Sequence, residues 1–66
     1  MNEFEKAVRK ALIDRNMSLS SLASELGVSA SYVYEIMHGT RKAPEMRERI
    51  KTFLELGEEY DEQIIG

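Results

Sequence analysis

Residues 17–44, MSLSSLASELGVSASYVYEIMHGTRKAP, read as two short helices joined by a tight turn. Ser18 is an N-cap, its hydroxyl placed to accept from an early backbone N–H of the helix that follows. Met17 before the cap and Leu22 after it have the spacing of a hydrophobic staple. Leu19, Leu22, Ala23 and Leu26 form an apolar stripe over two turns, and Gly27 follows. A glycine there takes the left-handed conformation that closes a helix, which a residue with a Cβ resists. The pattern then repeats, with Val28 before the cap Ser29, Val33 at the staple position, and Val33, Ile36 and Met37 facing inward. Gly39 ends the second helix and Pro44 blocks its continuation.

Two capped helices that share one apolar seam are the sequence form of a helix-turn-helix, here spanning about residues 18–39. The small Ala23 lets the two helices approach closely. The opposite face of the second helix carries Ala30, Ser31, Tyr34, Glu35 and His38, spaced by three and four residues, so they point together into solvent. That face is where function is to be sought.

These residues resemble the Cro/repressor-type helix-turn-helix proteins of phages and bacteria, the xenobiotic-response-element family. The match is carried by Leu22-Ala23, Leu26-Gly27-Val28-Ser29, Val33, Ile36, Gly39 and Pro44, in register, and extends less specifically into the flanking helices. The resemblance implies a compact all-α, lambda-repressor-like domain of four to five helices. It also implies a transcriptional regulator of a phage or mobile element, whose third helix reads the major groove of a double-stranded DNA operator. By position it puts base reading on Ala30, Ser31 and Glu35, with Tyr34 beside them. It puts DNA-backbone contacts on Ser18, His38, Thr40, Arg41 and Lys42. The chain departs from the family at Leu19 and Ala30, where polar residues are frequent. Ala30 still suits a thymine methyl, Ser31 several bases, and Glu35 a cytosine amino group. Glu35 also repels phosphates, so it narrows choice more than it adds affinity.

Sixty-six residues make a single domain, 1–66, with one small core. A chain this short buries only about 60% of its unfolded surface, so local helical contacts or dimerisation must supply the rest. There is no cysteine, hence neither a disulfide nor a thiolate metal site. The N-terminal residues are charged from Glu3 onward and no apolar run approaches the length of a membrane span, which points to a cytoplasmic protein. One histidine and no glycine-rich phosphate loop leave no nucleophile–base pair, so no enzyme, cofactor or metal is expected.

Charge is unevenly placed. The net charge is −3, whereas nucleic-acid modules are more often basic. All nine Lys and Arg lie in residues 1–54, which carry +2, while residues 55–66 carry −5. What matters at a surface is where charge sits rather than its sum.

Outside the motif, Asn2 caps a first helix in which Phe4, Ala7, Val8, Ala11 and Leu12 make an amphipathic stripe to about Arg15. Lys6, Arg9, Lys10 and Arg15 read as its solvated face, with phosphate contact as the alternative. A fourth helix starts near Pro44 and runs to about Leu56, burying Met46, Ile50, Phe53 and Leu54, and Gly57 stops it. Arg47, Glu48, Arg49 and Lys51 are expected to pair locally along it. The acidic segment 57–66 is either a fifth helix or a tail. Its Tyr60, Ile64 and Ile65 suit a contact with the domain itself, or with a second copy in a homodimer. The rival to DNA binding is a protein-interaction module that binds another regulator, favoured by the acidic segment, Leu19 and exposed tyrosines at 32 and 34.

Overall fold

A computed structural model describes residues 2–56, and within them the chain forms four helices and no strand: α1 (Glu3–Asp14), α2 (Leu19–Leu26), α3 (Ala30–His38) and α4 (Pro44–Leu54). Three starts are capped by side chains. The Glu5 N–H donates to Asn2 Oδ1 at 2.7 Å, the Ser21 N–H to Ser18 Oγ at 3.0 Å, and the Tyr32 N–H to Ser29 Oγ at 3.1 Å. Helix α4 has no side-chain cap; Ala43 precedes it at φ 36°, and Pro44 opens it with a fixed φ and no N–H to satisfy.

All four ends close in one way. Asn16, Gly27, Gly39 and Glu55 follow the helices with φ of 57°, 76°, 83° and 57°, and the chain turns back over the last carbonyls. The next residue's N–H returns to the helix each time: Met17 to Leu12 O at 2.8 Å, Val28 to Ala23 O at 3.0 Å, Thr40 to Glu35 O at 3.1 Å, Leu56 to Lys51 O at 2.9 Å. These bonds satisfy carbonyls that a helix end otherwise leaves bare. Met17, Val28 and Leu56 then pack their side chains against the core.

That core is built from Phe4, Val8 and Leu12 of α1, Leu22, Ala23 and Leu26 of α2, Val33, Ile36 and Met37 of α3, and Ile50 and Leu54 of α4. Helix α2 lies chiefly against α3, while α1 reaches both α3 and α4. Leu19, Met46 and Phe53 are half-buried around it. Ile13 falls outside the stripe and is 77% exposed.

Four sequence expectations are corrected. Helix α4 ends at Leu54, not Leu56, because Glu55 takes the left-handed closing position two residues before Gly57. Only Lys51 of the α4 cations pairs locally, its Nζ 3.2 Å from Glu48 Oε2. Arg47 instead lies over the Phe4 ring with Cζ 4.1 Å from its centre, and Arg49 Nη2 donates to Leu26 O at 3.4 Å. On α1, Arg9 and Arg15 are not simply solvated: Arg9 binds Glu5, and Arg15 Nη2 donates to Leu54 O at 3.2 Å, tying α1 to the end of α4. Finally, Tyr32 is half-buried against the core rather than exposed. Gly57, the suggested fifth helix, and Tyr60, Ile64 and Ile65 lie outside the described residues.

A Cβ built on Gly27 meets nothing within 4 Å, so a substitution there acts through backbone conformation alone. Gly27→Ala is expected to destabilise the domain by about 1–2 kcal/mol and Gly27→Val by more, with Gly27→Asn mildest. Chemical denaturation of the three variants checks this. Equal stability of Gly27→Val and the parent chain would refute it.

Candidate nucleic-acid interface

The caps and closures above fix which way α3 faces. Val33, Ile36 and Met37 are buried, so the residues between them turn outward. Ala30, Ser31, Tyr34, Glu35 and His38 line one open groove, flanked by Leu19 at the start of α2 and Thr40 in the loop after α3. Six of the nine residues singled out from the sequence therefore share a single concave surface: Ala30, Ser31, Tyr34, Glu35, His38 and Thr40. Ser18, Arg41 and Lys42 lie outside its lining.

Several of these side chains already have partners. The Ser18 hydroxyl caps α2 and also donates to Ser21 Oγ at 3.0 Å. Tyr34 is 48% exposed, and its ring centre lies 4.1 Å from that of His38, tilted by 47°. Thr40 Oγ1 donates to Glu35 O at 3.1 Å, fastening the loop to the helix it follows. Arg41 Nε donates to Glu35 Oε1 at 2.8 Å, and its guanidinium sits 5.2 Å from the centre of the Tyr32 ring. The hydrogen bond to Glu35, and then the charge of that carboxylate, hold Arg41 protonated beyond its ordinary value. Lys42 is exposed and has no ion-pair partner among the described residues.

One contact behind this face escaped the sequence reading. Glu5 looks like a first-turn surface acid, yet it is only 3% exposed. Its Oε2 takes His38 Nε2 at 3.1 Å and Arg9 Nη2 at 3.0 Å. Beside it, Asn2 Nδ2 donates to Met37 O at 2.9 Å. The first turn of α1 thus grips the last turn of α3 from below, while the outward face of α3 stays open. The Glu5–Arg9 spacing of four residues was a visible signal for half of this. Nothing local points to His38, far along the chain.

Among the described residues, no group of three or more His, Cys, Asp or Glu is placed to hold a metal ion. No described helix is long and apolar enough to cross a membrane. The arrangement offers hydrogen-bonding and methyl groups along the outward side of α3, with cations at one end. A family model described as helix-turn-helix matches residues 8–49, well over half of the chain. No curated protein and no solved structure matches it.

Glu5→Gln keeps the shape but removes the carboxylate charge that faces Arg9 and His38. It is expected to lower stability by about 1.5–3 kcal/mol, the range for hydrogen bonds to charged groups. In amide exchange, the last turn of α3 should lose more protection than α2. A uniform loss of protection would instead mean that Glu5 acts through the whole core.

Proposed function

We propose, since the chain belongs to the helix-turn-helix family, that this DNA-binding regulator is a Cro/repressor-like protein that reads double-stranded operator DNA through α3. A phage or mobile-element role and a cytoplasmic location are part of the same proposal. The observation that carries it is the single open groove that gathers Ala30, Ser31, Tyr34, Glu35, His38 and Thr40 along the outward side of α3. An α-helix fits the major groove, where each base pair shows a distinct pattern of donors, acceptors and methyl groups.

In this reading Ala30 meets a thymine methyl, Ser31 bonds to base edges and Glu35 accepts from a cytosine amino group, with Tyr34 alongside. Ser18, His38, Thr40, Arg41 and Lys42 meet the sugar–phosphate backbone, which positions the helix without carrying sequence information. One reading helix specifies few base pairs, so the active species is a homodimer on a two-fold site, with half-sites about one helical turn apart. Tyr60, Ile64 and Ile65 are the proposed dimer contact.

The decisive experiment is selection of bound duplexes from a random pool, followed by titration of the enriched duplex at two salt concentrations. Lys42→Ala should weaken binding to all duplexes alike and flatten the slope of log affinity against log salt by about one. Ser31→Ala should instead change preference at one or two positions by about 1–3 kcal/mol. Sedimentation should show a dimer, and footprinting two protected half-sites. The alternative, a module that binds another regulator, draws on the exposed Tyr34 and on Ile13, which joins Leu12, Met17, Leu19 and Met37 around a second shallow groove. It would be preferred if these substitutions abolished binding to a partner protein and no duplex were enriched.

A further inference from the structure

Glu35 and Arg41 are assigned separate tasks on DNA, yet the protein holds them together. Arg41 Nε donates to Glu35 Oε1 at 2.8 Å. The main chain fixes both ends of the pair, because Glu35 O accepts from Thr40 N at 3.1 Å, Thr40 Oγ1 at 3.1 Å and Arg41 N at 3.3 Å. Below them the Tyr32 ring, half-buried in the domain, supports the guanidinium at 5.2 Å. Arg41 therefore does not swing freely after α3; it is folded back over the side of the helix that carries Glu35.

Such a pair presents no net charge to an approaching duplex. If Arg41 leaves for a phosphate, Glu35 keeps a full negative charge next to the DNA backbone and loses its hydrogen-bond donor. Only a donor on a base edge replaces that bond, and in the major groove the amino groups of cytosine and adenine supply one. Opposite guanine or thymine, which offer the carboxylate no donor there, the exchange leaves it unpaired, and the closed pair is favoured.

We infer that the Glu35–Arg41 pair determines specificity by making the phosphate contact of Arg41 conditional on a base amino group, of cytosine or adenine, opposite Glu35. The inference rests on the DNA-binding reading above and adds a coupling between two contacts. On a matched site the pair opens and Arg41 releases a counterion from the backbone. On a mismatched site it stays closed and contributes nothing to the salt dependence.

The test uses the full chain, the duplex enriched by selection and a scrambled duplex of the same length, with affinity measured across a salt series. Arg41→Ala should flatten the salt slope by about one on the enriched duplex and leave the scrambled one unchanged. Glu35→Gln should steepen the slope by about one on the scrambled duplex, and adding Arg41→Ala to it should remove that gain. Circular dichroism and melting of each variant establish that it is folded, as expected for two exposed side chains. If Arg41→Ala flattens both slopes alike, Arg41 is an independent phosphate contact, and the coupling falls while DNA binding stands. A parent chain that binds neither duplex overturns the coupling and the DNA-binding reading together.

Discussion

Two helices joined by three residues can pack against each other only if the chain reverses within that span, and Gly27 supplies the reversal at φ 76°. Every later feature of the interface inherits its direction from that dihedral. With the turn set, Val33 and Ile36 fall onto Leu22, Ala23 and Leu26, and the residues between them have nowhere to face but outward. The same left-handed closure at Gly39 brings Thr40 and Arg41 back onto Glu35, so the loop is carried by the helix rather than trailing from it. Side-chain packing supplies most of the stability of such short helices, since isolated helices of this length are marginal in water. The backbone closures decide which packing is available.

At the far end of α3 the constraint is electrostatic. Enclosing the Glu5 carboxylate costs desolvation free energy, and Arg9 and His38 offset it from partly exposed positions. Pairs of this kind contribute little net stability compared with apolar groups, but removing one partner is costly. Their effect here is positional. A hydrophobic contact between α1 and α3 tolerates sliding, whereas the Glu5 contacts and the Asn2–Met37 hydrogen bond fix one axial register. The outward helix is thus held by α2 along its length and by α1 at its C-terminal end.

Most of the fold was legible because each helix carries its own start and stop. Asn2, Ser18 and Ser29 are caps by residue type, Gly27 and Gly39 are closures by residue type, and the apolar spacing gives the inward face. The fourth helix was misjudged at its end because Glu55 adopts a conformation usually left to glycine or asparagine, so residue identity pointed instead to Gly57. The outward face of α3 was legible from the three- and four-residue spacing, whereas the groove that Leu19 and Thr40 complete was not. What the sequence could not disclose were polar contacts between residues remote along the chain: His38 with the Glu5 carboxylate, Arg15 with the Leu54 carbonyl, Arg49 with the Leu26 carbonyl. A charged residue on a helix surface looks the same whether it meets water or the end of another helix. Tyr32 shows the converse, since its helical position is outward but Arg41 and the core edge enclose it.

The closures also bear on how quickly the domain assembles. Each return bond joins residues five apart, and α2 finds its main partner in the very next helix, so ordering them closes only short loops. Chains whose contacts are this local fold on microsecond to millisecond timescales. The α2–α3 hairpin has its caps, turn and seam within one continuous stretch, whereas α1 and α4 join it through ties such as Asn2–Met37 and Arg49–Leu26 that need a preformed partner. The order of assembly expected from this is hairpin first and flanking helices after, which makes the outward face of α3 the oldest part of the fold each time the chain collapses.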